Sequence, residues 1–180
     1  AVVNIAGKRD HSIIEYGKQI LLNLHHRGAA GSDDVTGDGA GILTQIPHAF
    51  FAAEAKRLKF SLGQPEQYGV GFVFGSKNAE LRSKCDALLE EAIIAYGLKP
   101  LGWRDVPSDN SCLGKIALSS EPSIRQIFVD GMGLIGEALE NKLYMVRRRA
   151  ERLVCEQFGD AAADFYITSL SCRTVCYKGM

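Results

Sequence analysis

One seventeen-residue stretch, HHRGAAGSDDVTGDGAG at positions 25–41, restricts more than any other what this chain can fold into. It holds five glycines (Gly28, Gly31, Gly37, Gly39, Gly41) beside His25, His26, Arg27, Asp33, Asp34 and Asp38. Glycine at that density marks backbone that turns through positive φ or lets something approach closely. The order of the flanking elements decides what that something can be. Ile13, Ile14, Gly17, Ile20, Leu21 and Leu24 form a helical stripe that enters the stretch. An apolar strand, residues 42–46, leaves it and stops at Pro47. A dinucleotide fingerprint needs the reverse order, strand before glycines and helix after. No Gly-Lys-Ser/Thr occurs, so a phosphate loop of that kind is excluded. The three aspartates miss the spacing of a calcium loop, and Asp33 and Asp34 read as turn formers on a solvated loop.

The rest of the chain alternates helices and strands irregularly. Residues 1–5 (AVVNI) read as a short strand, and Ser12 with Glu15 as a capping box opening the first helix. Residues 48–58 suit a second helix. Residues 69–74 alternate Val70, Phe72 and Phe74 on one face with Gly69, Gly71 and Val73 on the other; the nearly bare face predicts a closely packed neighbouring layer. Leu81, Cys85, Leu88, Leu89, Ala92, Ile93 and Tyr96 define a helix ended by Gly97. Residues 98–106, with Trp103, and 124–129 read as strands, and 112–118 as a short helical piece. Ile135, Leu139, Leu143, Val146, Ala150 and Leu153 mark a long helix with Arg147, Arg148, Arg149 and Arg152 toward its polar side. Residues 165–170 and 174–178 read as a β-hairpin. The pattern suits a layered α/β or α+β sandwich.

Twenty-one basic residues balance twenty-one acidic ones, which gives no electrostatic case for nucleic acid or an anionic membrane. No apolar run reaches the roughly 18 residues that cross a bilayer, and no secretion signal opens the chain. The five cysteines (Cys85, Cys112, Cys155, Cys172, Cys176) contain no CxxC pair and read as free cytosolic thiols. The chain starts at Ala1 inside an apolar run and stops at Met180 two residues after a strand, so a piece of a longer polypeptide is expected.

His26-Arg27-Gly28-Ala29, Thr36-Gly37-Asp38-Gly39-Ala40-Gly41-Ile42 and Gln45-Ile46-Pro47-His48 are followed in order by further words. These are Tyr68-Gly69-Val70-Gly71, Leu101-Gly102-Trp103-Arg104-Asp105-Val106-Pro107, Asp109-Asn110-Ser111, Glu121-Pro122, Arg125-Gln126 and Tyr177-Lys178-Gly179-Met180. Together they resemble the amino-terminal glutaminase domain of glutamate synthase large subunits, a class II glutamine amidotransferase. The resemblance covers nearly the whole chain. It implies an α+β, four-layer αββα N-terminal-nucleophile hydrolase sandwich, incomplete at both ends. Residues 1–180 would be a partial domain, with the N-terminal cysteine segment and the C-terminal part missing. The implied activity is hydrolysis of L-glutamine to glutamate and ammonia, the ammonia passing to 2-oxoglutarate to make a second glutamate. The implied partners are L-glutamine, the synthase domains of the same full-length chain and a small reductase subunit, with no nucleic acid and no membrane. FMN and an iron–sulfur cluster are implied for the full enzyme and no cofactor or metal for this piece. The implied location is the cytoplasm, or a plastid in a plant or alga.

The chemistry of that family is covalent catalysis by an N-terminal cysteine whose own α-amine, near pKa 8, is the base, with two donors holding the oxyanion. Here the first residue is Ala1, and the first cysteine, Cys85, lies on the apolar face of a helix and reads as core. The residues the resemblance assigns to the site are therefore supporting ones. Arg27 and Gly28 would fix the geometry around the nucleophile, the guanidinium donating to nearby carbonyls; the plain alternative for Arg27 is a surface arginine at a helix end. His26, Asp38 and Gly39 would form part of the substrate-pocket wall. His25 and His26 lack an acidic partner at readable spacing and read as structural. Asp38 either bonds the loop amides or shapes the turn. The arginine cluster reads as a solvated helix face. A second functional reading is a non-catalytic interaction or regulatory domain on the same scaffold that has lost the nucleophile.

Overall fold

Strand β2 (Tyr68–Gly75) explains the arrangement around it, because all eight of its residues are buried. A strand covered on both faces needs a sheet neighbour on each edge and a packed layer above and below. The computed structural model describes residues 2–8, 10–28, 36, 39 and 41–178 and divides into two units. Residues 43–108 and 121–178 form the larger unit; residues 1–42, 109–120 and 179–180 form the smaller.

In the larger unit β2 lies inside an antiparallel four-stranded sheet of order β3 (Lys99–Asp105), β4 (Ser123–Asp130), β2, β5 (Tyr166–Ser171). Phe72 stands opposite Gln126 of β4 and Ser169 of β5, and a bulge in the β5 pairing follows it. One face carries Val73, Ile127, Val129, Ile167 and Leu170 against two helices, α3 (Ala79–Ala95) and α5 (Gly136–Phe158). The other face carries Val70 and Phe128 against Phe51 of α2 (His48–Arg57) and Val175 of β6 (Thr174–Lys178).

The bare face expected of residues 69–74 is used as its glycines suggest. A Cβ on Gly69 would fall 2.6 Å from Leu143 Cδ1 of α5, and one on Gly71 would fall 2.6 Å from Ile127 Cγ2 of β4. Helix α5 buries Leu139, Leu143, Val146, Ala150 and Val154, an i, i+4, i+7 stripe whose last residue lies one position beyond the expected end at Leu153. Its arginines pair along the helix, Arg147 and Arg148 with Glu151 and Arg152 with Glu156, on the solvated side expected of them. Helix α3 buries Cys85, Leu89, Ala92 and Ile93 and ends at Gly97, whose φ of +76° suits glycine. Its start is capped by Asn78, whose side chain accepts from the backbone N–H groups of Glu80 (3.0 Å) and Leu81 (3.2 Å). Asn78→Ala is expected to cost about 1 kcal/mol, read as a lower urea midpoint with an unchanged slope.

Three sequence expectations are corrected. First, residues 174–178 do not form a hairpin with the strand before them. Strand β6 joins β1 (Gly41–Gln45) in a separate two-stranded sheet, so the turn at residues 172–173 carries the chain from one sheet to the other. Ser171 Oγ closes this turn by accepting from Arg173 N and Thr174 N, and Ile46 N donates to Arg173 O. Second, residues 2–5 are not a strand. Asn4 Oδ1 accepts from the backbone N–H groups of Ala6 and Lys8 and Gly7 N donates to Asn4 O, a local turn that competes with any strand ladder. Val3 and Ile5 are left exposed. Third, Ser12 is not the cap of the first helix. Helix α1 spans Ser12–Asn23 with His11 as its cap residue, and Asp10 Oδ1 accepts from Ser12 N. Glu15 pairs with His11 and Lys18 instead of closing a capping box.

In the smaller unit, α1 has no buried residue, and the short helix α4 (Lys115–Ser120) begins three residues later than the expected start at Cys112. Helices and antiparallel sheets make an α+β fold. Among the described residues no helix is long and apolar enough to cross a membrane.

Candidate functional site

The sequence-assigned site begins where α1 stops. Leu24 N donates to both Ile20 O and Leu21 O, which tightens the last turn, and a 3-10 turn, His25–Arg27, follows. Arg27 N donates to Leu24 O at 2.8 Å. His26 Nδ1 lies 3.1 Å from Asn23 O; a carbonyl only accepts, so Nδ1 carries the proton and the ring caps the helix end. The chain places His26, Arg27 and Gly28 side by side, all three exposed. The exposed Arg27 carries a guanidinium, a group that donates to carbonyl or carboxylate oxygens. Gly39 is exposed and lies in no regular element. Asp38 lies outside the described residues, as do Asp33 and Asp34, on which the metal-loop reading turned.

No cysteine thiol offers itself as a nucleophile in the core. Cys85 is buried, and burial with Asp86 beside it pushes its thiol up. Cys172 is pushed up to about 12 by burial and by Glu140; its Sγ donates to Gly136 O and its N–H to Glu140 Oε2. Both stay protonated and weakly nucleophilic. Cys112 and Cys155 are exposed. Brief iodoacetamide treatment of the folded chain is expected to label Cys112 and Cys155 and spare Cys85 and Cys172, with all five reacting in denaturant. Mass spectrometry of the digested protein reads the difference, and early labelling of Cys172 would contradict its burial.

A buried polar network under α2 carries no local signal in the sequence. Arg104 is 7% exposed and lies opposite Gln126 of β4. It donates from Nε to Glu54 Oε2 (2.6 Å) and from Nη1 to Gln126 Oε1 (3.0 Å), with the Phe50 ring against its guanidinium. Arg57 holds Glu54 from the outside through both carboxylate oxygens. The hydrogen bonds from Arg57 and Arg104 hold the Glu54 carboxyl down at about 2. A second cluster ties α3 to the sheet on the opposite face. Arg125 pairs with Asp86 and Asp105 and lies over the Trp103 ring, while Trp103 Nε1–H donates to Glu90. Burial pushes the Asp86 carboxyl up, and Arg125 and Arg82 pull the other way. At the start of α2, His48 Nδ1 meets the Tyr68 hydroxyl at 3.1 Å, and burial raises that phenol to about 12. These groups anchor α2 and α3 to the sheet.

Helix α1 precedes the glycine-rich stretch and strand β1 follows it, the order of flanking elements expected from the sequence, on an α+β scaffold. The model of the family described as glutamine amidotransferases class-II matches residues 1–180, and the chain belongs to that family of enzymes. Its relatives are more particular. The chain is 40% identical over 179 residues to the glutamate synthase [NADPH] large chain of Bacillus subtilis (strain 168), an alignment covering 98% of this chain and 11% of the relative. It is 35% identical over 180 residues to ferredoxin-dependent glutamate synthase 2 of Synechocystis sp., covering 99% and 11%. It is 37% identical over 191 residues to glutamate synthase [NADH] of Saccharomyces cerevisiae, covering 99% and 8%. The chain thus spans about a tenth of the length of these relatives.

Proposed function

We propose that this chain is part of the glutaminase domain of a glutamate synthase. The observation that carries the reading is similarity to glutamate synthases over 98–99% of the chain. In such a domain a cysteine thiolate attacks the amide carbon of L-glutamine, with its proton taken by the neighbouring α-amine. The tetrahedral intermediate collapses, the C–N bond breaks and ammonia leaves. Water then hydrolyses the thioester to glutamate. The ammonia is consumed with 2-oxoglutarate in the synthase part of the longer polypeptide. Arg27 serves as a positioning residue, its exposed guanidinium donating to main-chain carbonyls around the nucleophile, and Gly28 leaves room for that approach. His26, Asp38 and Gly39 border the pocket.

The five cysteines do not gather with other ligand side chains into a set of three or more among the described residues. Iron–sulfur ligation does not fit them, and in this reading that group and FMN belong to the remainder of the longer enzyme, as does the contact with a reductase subunit.

Two preparations test the proposal. A 180-residue polypeptide of this sequence is expected to release no ammonia from L-glutamine, because none of its cysteines is N-terminal; appreciable turnover would overturn the account. The gene-encoded longer enzyme is expected to release it, and there Arg27→Lys should lower kcat about tenfold or more, the equivalent of one lost hydrogen bond in the transition state. Its thermal midpoint should stay put, since Arg27 is exposed. An unchanged kcat would remove Arg27 from the positioning role. A start codon directly before Ala1 would instead fit the non-catalytic scaffold.

A further inference from the structure

No further inference is drawn: the strongest candidate, the fully buried Gln126 side-chain amide beside Arg104 and Glu54 between β3, β4 and α2, has an Nε2 with no acceptor among the described residues, and nothing in the structure shows a cavity or ligand that would supply one.

Discussion

Leu143→Ala is expected to destabilise this chain by about 3 kcal/mol, within the range for emptying a fully buried leucine site. Leu143 has no exposed surface and sits in the middle of the α5 stripe, against the sheet at Gly69. The same contact sets the cost of the reverse change. A methyl group on Gly69 would lie 2.6 and 2.9 Å from the two Leu143 methyl carbons, too close for either to stay where it is. Gly69→Ala alone should therefore cost about 1–3 kcal/mol by overpacking. In the double variant the new methyl occupies part of the space that Leu143 vacates, so the two losses should fall short of additivity by about 1 kcal/mol. Urea unfolding of the four proteins measures this directly. Strict additivity would mean that β2 and α5 do not meet at these two residues.

Removing Glu54 should be the most damaging change in the polar network. Arg104 would be left nine-tenths buried with its charge uncompensated and Gln126 as its remaining hydrogen-bond partner, a situation far costlier than losing a surface pair. Arg57→Ala breaks a bond to the same carboxylate, but from a side chain that is 61% exposed, and should lower the unfolding midpoint only slightly. The expected order of thermal midpoints is parent, then Arg57→Ala close below it, then Glu54→Ala far below both. Equal effects of the two substitutions would count against a buried Arg104. The acid limb gives an independent check. The Glu54 carboxyl titrates near 2 in the folded chain, against an ordinary value of 4.5. Its contribution to stability is thus complete above about pH 4.5 and disappears as the pH falls from there toward 2. The parent should lose more stability than Glu54→Gln over that window, and the gap between them should narrow as the solution is acidified.

The two clusters differ in how far the sequence reveals them. Arg104 and Arg125 both lie in strand segments evident from composition, and both belong to the motif words on which the resemblance to glutamate synthases rests. Nothing local distinguishes the one that is nearly buried from the one tied down beside Trp103. That distinction depends on which helix lies over each face of the sheet: α2 brings Glu54 to Arg104, and α3 brings Asp86 to Arg125. The helix-entry error has a similar origin. Ser12 and Glu15 have capping-box spacing, yet Asp10 and His11 offer competing partners within two residues, and the bonds made go to them.

The sequence by itself determined the elements whose hydrophobic period is long and clean, α3 and α5, the buried strand β2 with its bare glycine face, and the family. The elements are written in residues a few positions apart, where backbone geometry links spacing to structure; the family is written in motif words spread along the chain. The tertiary structure decided the rest: that β6 leaves its neighbour in sequence to pair with β1, that residues 2–5 curl around Asn4 instead of extending, and that Arg104 is interior. Strand pairing and burial are contests between distant segments for the same hydrogen bonds and the same apolar surface, and no window of the chain contains both contestants.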